Sequence, residues 1–209
     1  FFFFAYGKLG GIELSYESDL DLVFIASGEE GDTTGAKAVD HQRFFTRLAQ
    51  RVIHILSTNM MGGRLYEVDL RLRPNGDSGL LVTSLPALKK YLETDAWTWE
   101  HQALVRARVI AGGPALVDAV EALRVAVLSQ RRDNSSLVHD VTSMRQKMRD
   151  HQGDVGSKSK RTELKYARGG IVDIEFVVQY LVLNHAATRP EICRWSDVIR
   201  IVDELEVAG

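Results

Sequence analysis

The chain is poor in the features that mark secreted, disulfide-bonded and membrane proteins. Its 209 residues include one cysteine and four prolines, and no apolar run approaches the roughly 20 residues of a membrane-spanning helix. A single thiol, Cys193, leaves neither a disulfide framework nor a thiolate zinc site, which fits a reducing compartment. We therefore expect a cytoplasmic protein that has no contact with membranes.

Surplus positive charge is also missing. The 26 lysine and arginine residues are outnumbered by 28 aspartate and glutamate residues, which gives a formal net charge of −2. A general affinity for nucleic acid needs a basic surplus, so we expect no nucleic-acid partner. The six histidines show no ligand spacing such as H-E-x-x-H, which makes zinc hydrolysis a poor alternative.

The apolar pattern predicts an α+β protein in two parts. Up to about residue 112, strand patterns accompany an amphipathic helix from Asp40 to about Ser57. Beyond it the pattern predicts helices near 114–129, 135–151, 170–186 and 196–207. We expect a mixed core over 1–112 and a helical bundle over 113–209. Because the chain lacks an initial Met and opens on a strand pattern, we expect a fragment of a longer protein.

Four shorter segments carry structural predictions of their own. RLYEVDLRLRPNGDSGLLVT, residues 64–83, predicts a β-hairpin with its turn at NGDSG. The polar stretch HQGDVGSKSKR, residues 151–161, predicts a mobile loop. GGIVDIEFVVQYLVL is apolar nearly all round, so we expect a buried helix whose Asp173 and Glu175 need partners or a task. A helical stripe is predicted at Trp97, Glu100, His101, Leu104 and Arg108.

The segment GKLGGIELSYESDLDLVF, residues 7–24, contains a pair of aspartates at the entrance of a strand. Asp19 and Asp21 are two positions apart, so their side chains project from the same face of that strand. Like charges this close raise each other's pKa unless a cation offsets them. Mg²⁺ is the natural cation, because it prefers carboxylate oxygens and leaves positions open for phosphate. A solvated strand end is the alternative.

Residues just before the aspartates suggest a phosphate ligand. Gly10 and Gly11 allow the backbone to approach a phosphate and to turn N–H groups towards it. Ser18 adds a hydroxyl group at the same rim.

A third carboxylate, Asp69, stands on the polar face of a later strand pattern, which also carries Arg71 and Arg73. If that strand lies beside the first, Asp69 reaches the same site and can bind a metal or accept a proton from an attacking hydroxyl. Arg71 is then suited to phosphate oxygens, with a solvated edge strand as the alternative. The set predicts Mg²⁺-assisted nucleotidyl transfer.

These motifs resemble a known superfamily. The G-G…S-D-x-D pattern with a later strand carboxylate is similar to the polymerase-β-type nucleotidyltransferases. Longer segments, among them AWTWEHQALVRARV and RWSDVIRI, look like the family of bifunctional glutamine synthetase adenylyltransferases/adenylyl-removing enzymes over nearly the whole chain. DAWTWEHQAL and RWSDVIRI resemble the C-terminal, adenylylating half of that family.

The resemblance implies a polymerase-β-like nucleotidyltransferase core followed by a helical bundle. It implies Mg²⁺ as cofactor, ATP as substrate, glutamine synthetase as the protein that is modified, and PII-type nitrogen signal proteins as partners. It makes Asp19, Asp21 and Asp69 the metal ligands and places Gly10, Gly11 and Ser18 at the nucleotide phosphates. The segment KYARGG is expected to bring Lys165 near the nucleotide. Where the family usually has a basic residue after the glycines, this chain has Ile12, so a contact there is in doubt.

Three alternatives stay open at the level of sequence. The first is the deadenylylating half of the same enzyme, which shares the carboxylates. The second is a nucleotidyltransferase that acts on a small molecule, and the third is a binding module without catalysis. The intact set of Asp19, Asp21 and Asp69 argues against the last of these.

Overall fold

A computed structural model describes residues 1–16, 18–152 and 164–208, and they form two compact units. The first comprises Phe1–Ala96 and Arg106–Arg124, and the second comprises Trp97–Val105 and the residues from Val125 onward. The chain passes between the units three times. The sequence predicts a single domain boundary at residue 112, and this boundary stays a prediction. All but the first two residues of the predicted loop over 151–161 lie outside the described residues.

The first unit contains a mixed sheet with one strand at its centre. In chain order the strands are β1 (Phe2–Ala5), β2 (Leu20–Ala26), β3 (Asn59–Met60), β4 (Gly63–Arg64), β5 (Val68–Asp69), β6 (Val82–Ser84) and β7 (Arg108–Ala111). β3 and β4 form an antiparallel pair of their own, and the other five strands form the sheet. β1 lies antiparallel between β2 and β7, while β5 and β6 both pair parallel with β2.

β2 is central because its sequence is apolar on both faces. Leu20, Leu22 and Phe24 pack into one cluster with Ala5 of β1 and Val82 of β6. The intervening valine and isoleucine are also buried, at 1% and 0% exposure. Such a run is typical of a strand covered on both sides, and burial of this area supplies most of what holds the sheet together.

Eight α-helices accompany the strands in the described part of the chain. In order they are α1 (Gly7–Gly10), α2 (His41–Ser57), α3 (Leu85–Thr94), α4 (Thr98–Val105), α5 (Pro114–Leu128), α6 (Asn134–Gln152), α7 (Ile171–His185) and α8 (Val198–Ala208). α2 begins after Asp40, whose carboxylate accepts a hydrogen bond from Arg43 N at 2.9 Å. Its apolar face covers the β2 cluster through Phe45, Ala49 and Val52. The predicted helices and the predicted α+β class are confirmed.

The hairpin predicted over 64–83 is wrong. β5 and β6 follow the same edge of β2, opposite Leu20–Asp21 and Phe24–Ala26, and both run parallel to it. The turn signal at NGDSG is real, since Asn75 adopts a left-handed φ of 62°, but the turn belongs to a loop that leaves the sheet edge and returns to it. The Arg73 guanidinium closes this loop by donating to the carbonyl oxygens of Leu70 (2.8 Å) and Asp77 (3.1 Å).

The second unit is helical, and α7 packs against α4, α6 and α8. Val172, Val178, Val182 and Leu183 form the buried side of α7. The expectation that this helix is buried all round is wrong, because Ile171, Ile174 and Val177 are each more than half exposed. In the described part of the chain, no helix has the length and hydropathy that a membrane span requires.

Asp173 has the structural partners that a carboxylate on an apolar helix needs. Its oxygens accept hydrogen bonds from Arg145 Nε (2.5 Å), Arg149 Nη2 (2.9 Å) and Gly169 N (2.7 Å). Arg145 is itself buried, so this ion pair offsets a charge that would otherwise be costly inside the unit. Asp173 therefore fixes the start of α7.

Ile12 is strained at the end of α1. Glu13 N donates to Lys8 O at 2.8 Å and Ile12 N to Leu9 O at 3.4 Å, which is the Schellman pattern with Ile12 at the position that glycine usually occupies. The φ of Ile12 is +60°, a region that disfavours a β-branched residue.

Replacing Ile12 by glycine is expected to stabilise the chain by about 1 kcal/mol, because it removes the left-handed strain. Little burial is lost, since the isoleucine is 58% exposed. Urea unfolding followed by circular dichroism measures the change. Ile12→Val, which keeps the β-branch, is the matched control and should leave stability unchanged; equal stability of the two variants would contradict the strain.

Candidate active site

The sheet register brings two of the predicted carboxylates side by side. In the parallel pairing of β2 with β5, Leu20 is opposite Val68 and Asp21 is opposite Asp69. Asp19 lies one residue before β2 and lines the same pocket as Asp69. The structure therefore gathers Asp19, Asp21 and Asp69 at one edge of the sheet, and their catalytic roles stay predictions.

Burial and neighbouring charges both act on Asp21. Burial is the larger cause, and together with the negative charges of Asp69 and Asp19 it raises the pKa of Asp21 from its usual 3.8 to about 6. Arg71 and Arg106 oppose this shift through their positive charges. A group with these neighbours is stabilised in its ionised form by any additional cation.

The pKa of Asp69 is shifted in the opposite direction to that of Asp21, because Arg71 donates hydrogen bonds to the Asp69 carboxylate. Arg71 Nε donates to both carboxylate oxygens at 3.0 and 2.9 Å, Arg71 Nη2 donates to Oδ2 at 2.5 Å, and the Arg71 backbone N–H donates to Oδ1 at 2.8 Å. These hydrogen bonds keep the pKa of Asp69 below its usual range despite partial burial. Asp69 is consequently ionised at neutral pH.

An open pocket of about 490 Å³ adjoins the carboxylates. Its lining consists of Asp19, Glu67, Val68, Asp69, Leu70, Arg71, Arg73 and Asp77. The loop between β5 and β6 supplies half of these residues. Arg73, the other predicted arginine of that strand, is engaged by the carbonyl oxygens of the loop and is only 12% exposed in its side chain.

The glycines of α1 are needed for close packing. A Cβ atom on Gly10 would lie 2.1 Å from Arg106 O, and one on Gly7 would lie 2.5 Å from an Asp21 carboxylate oxygen. The N–H groups of Gly10 and Gly11 donate to Tyr6 O and Gly7 O, both at 2.9 Å, so they are used inside the α1 turn. The predicted contact of Gly10 and Gly11 with phosphate stays a prediction. Their N–H groups do not support it, because they point to carbonyl oxygens of the same turn.

Ser18 is buried at 6% exposure beside two polar partners. Its hydroxyl group accepts a hydrogen bond from Lys8 Nζ at 3.2 Å and lies 2.7 Å from Ser15 Oγ. Lys8 thus brings a cation to the segment that precedes Asp19. The proposed contact of Ser18 with phosphate is untested by these contacts.

Two arginines of the segment LVRARV hold the α1 turn in place, and sequence reasoning missed both. Arg108 donates to Gly10 O at 3.0 Å and to Leu9 O at 3.1 Å, and the buried Arg106 donates to Glu13 Oε2 at 2.5 Å. Arg108 belongs to β7, so the helical stripe predicted from Trp97 to Arg108 is wrong at its last member. The local sequence offered no signal for this pair, because Arg106 lies in the turn after α4 and Arg108 begins β7.

Lys165 belongs to the second unit, where its Nζ lies 4.8 Å from the centre of the Tyr166 ring. Its predicted role near the nucleotide stays a prediction.

The donor chemistry of the site fits a divalent cation such as Mg²⁺. Asp21 and Asp69 are register partners, and Asp19 acts on Asp21 through its charge, so three carboxylates lie near one another. Nevertheless, no three acidic, histidine or cysteine side chains among the described residues are arranged to hold a metal ion. Arg71 contacts both oxygens of Asp69, which are groups that a bound cation would use.

Comparison with known protein families gives a match to the first part of the chain. The model of the glutamate-ammonia ligase adenylyltransferase family matches residues 1–123. That range contains all three carboxylates and the whole sheet of the first unit.

Curated relatives match along nearly the whole chain, and those compared here are each named bifunctional glutamine synthetase adenylyltransferase/adenylyl-removing enzyme. The Pseudomonas putida protein is 50% identical over 220 residues, which cover 100% of this chain and 22% of that protein. The Hahella chejuensis protein is 52% identical over 210 residues, covering 98% of this chain and 22% of that protein. The chain therefore spans about a fifth of the length of these relatives.

The stability of the metal-free chain should fall as pH rises through the titration of Asp21. The folded pKa of about 6 lies above the usual 3.8, so the folded state binds this proton more tightly and its advantage is lost between about pH 4 and pH 6. Asp21→Asn removes that loss. The variant is expected to be more stable than the parent by about 1–2 kcal/mol at neutral pH, a figure reduced for solvent screening.

Urea unfolding in the presence of a chelator, at a series of pH values, measures this difference. Asp118→Asn, at an exposed position of α5, is the matched control and should follow the parent at every pH. A constant difference between Asp21→Asn and the parent from acidic to neutral pH would show that the effect is not electrostatic.

Proposed function

The chain belongs to the glutamate-ammonia ligase adenylyltransferase family, and from that membership we propose that it transfers AMP from ATP to a tyrosine of glutamine synthetase. One observation of the structure carries the proposal. Asp21 and Asp69 are register partners on parallel strands, and Asp19 and Asp69 line an open pocket beside them. This is the arrangement that cation-assisted nucleotidyl transfer requires.

Asp19, Asp21 and Asp69 would hold Mg²⁺, which supplies positive charge to the ATP phosphates and stabilises the charge of the departing pyrophosphate. In the reaction the tyrosine oxygen bonds to the α-phosphorus, the bond from that phosphorus to the bridging oxygen breaks, and pyrophosphate leaves. The hydroxyl proton is released to solvent. Before a cation binds, Arg71 keeps the pKa of Asp69 low and the carboxylate ionised, which suits Asp69 to serve as a cation ligand.

The remaining predicted contacts are assigned to the nucleotide. Arg71 lines the pocket and offers a planar pair of donors to phosphate oxygens. Gly10, Gly11, Ser18 and Lys165 keep their predicted places near the nucleotide on the strength of the family resemblance. Regulation by PII-type nitrogen signal proteins and a cytoplasmic location are proposed on the same basis.

The adenylylating reaction is preferred to the deadenylylating one because of two segments in the second unit. DAWTWEHQAL and RWSDVIRI resemble the adenylylating half of the family. The name of these relatives covers both activities, and the three carboxylates serve either direction of AMP transfer.

The test uses the 209-residue chain with α-labelled ATP, Mg²⁺ and unmodified glutamine synthetase. Label is expected on glutamine synthetase. Asp21→Asn should slow its appearance by about a hundred- to a thousandfold, the equivalent of several kcal/mol of lost charge stabilisation. Asp118→Asn should label at the parent rate.

Other outcomes identify the competing reactions. Formation of ADP from adenylylated glutamine synthetase and phosphate, without forward labelling, would assign the chain to the deadenylylating half. Label that appears on a small acceptor and never on glutamine synthetase would make it a small-molecule nucleotidyltransferase. Undiminished transfer by Asp21→Asn would remove the carboxylates from the mechanism.

A further inference from the structure

One residue contacts both oxygens of the Asp69 carboxylate. Three N–H groups of Arg71 donate to it: Nε–H, which both oxygens share, Nη2–H to Oδ2, and the backbone N–H to Oδ1. A divalent cation that binds Asp69 therefore competes with the Arg71 side chain for these oxygens. The backbone hydrogen bond can remain, because it leaves Oδ2 and part of Oδ1 available.

The exposure of the pair indicates that Arg71 can leave. Its side chain is 76% exposed, whereas that of Asp69 is 18% exposed. An ion pair with one partner in water contributes about 0–1 kcal/mol, since solvent competes for the cation. Direct coordination of a divalent ion by three carboxylates is stronger than this. Arg71 is thus a weak competitor for Asp69, and a cation that also contacts Asp19 and Asp21 displaces it.

The second guanidinium group of the pocket does not have this freedom. Arg73 donates to the carbonyl oxygens of Leu70 and Asp77 and is 12% exposed in its side chain. By contrast, each hydrogen bond that the Arg71 guanidinium makes within the described residues goes to Asp69. Among the described residues, displacement of the Arg71 side chain therefore costs no guanidinium hydrogen bond other than those to Asp69.

We propose that Arg71 is an exchangeable counter-ion of Asp69: it holds the carboxylate while no divalent cation is bound, and it moves to a phosphate oxygen of the nucleotide when a cation takes its place. The cation half of this exchange depends only on the contacts of Arg71 with Asp69. The phosphate half rests on the proposed function. Because the two halves share one side chain, cation and nucleotide should each strengthen the binding of the other.

The experiment titrates the chain with Mn²⁺ alone, in the absence of nucleotide, and follows free Mn²⁺ by electron paramagnetic resonance. Arg71→Gln is expected to raise Mn²⁺ affinity about tenfold, because the competitor for Asp69 is removed. The matched control is Arg64→Gln. Arg64 forms an ion pair with Glu67, which lines the same pocket, so this variant removes an equal charge from the same region without freeing Asp69.

Arg64→Gln should change Mn²⁺ affinity by less than about twofold, the general effect of one charge near a solvent-exposed site. Unchanged or weakened Mn²⁺ binding by Arg71→Gln overturns the proposal. An equal gain in both variants also overturns it, because the cause would then be net charge. Circular dichroism of each variant confirms that it is folded before titration.

A second titration tests the phosphate half. Addition of a non-hydrolysable ATP analogue should tighten Mn²⁺ binding by the parent chain, and Arg71→Gln should lose about tenfold of that tightening. Equal tightening in the two proteins contradicts the transfer to phosphate. Neither titration requires AMP transfer, so failure of the proposed reaction and failure of the exchange give different results.

Discussion

The register between β2 and β5 is the constraint on which the candidate site depends. It places Asp21 directly opposite Asp69, and a slip of one residue would turn one of the two carboxylates to the other face of the sheet. Charge repulsion works against this register, so apolar burial has to maintain it. Leu20 and Leu22 flank Asp21 and are almost fully buried in the cluster beneath α2. The strand core thus imposes a proximity that the carboxylates by themselves would avoid.

The surrounding positive charge is divided between one rigid and one exposed arginine. Arg106 is buried, paired with Glu13, and acts on Asp21 through its positive charge. Arg71 is exposed and contacts Asp69 directly. Burial fixes the first of these interactions, whereas solvent makes the second easy to exchange. The site therefore combines a preorganised part around Asp21 with an adaptable part around Asp69.

The sequence was sufficient to predict that the three carboxylates come together, but not to predict the arginine contacts that support them. Asp19 and Asp21 follow from period-two spacing in a local segment, and Asp69 required only that two strands be neighbours. Arg108 was misassigned, because the apolar periodicity of α4 continues past its real end at Val105 and hides the start of β7. Long-range contacts such as Arg108 with Gly10 leave no local pattern, since they depend on which strands become adjacent.

The interruption between β5 and β6, which makes the hairpin prediction wrong, also explains why a pocket lies beside Asp69. A continuous strand from β5 to β6 would pair along the whole edge of β2 and fill the space beside Asp69 with backbone. Instead the chain leaves the sheet edge after Asp69 and forms a loop before β6. The Arg73 guanidinium group closes this loop by donating hydrogen bonds to carbonyl oxygens of the loop backbone. The backbone groups that lose sheet partners are partly satisfied by this guanidinium group, as buried polar groups require. The interruption that defeats the hairpin pattern is thus the feature that leaves room for a ligand next to the carboxylates.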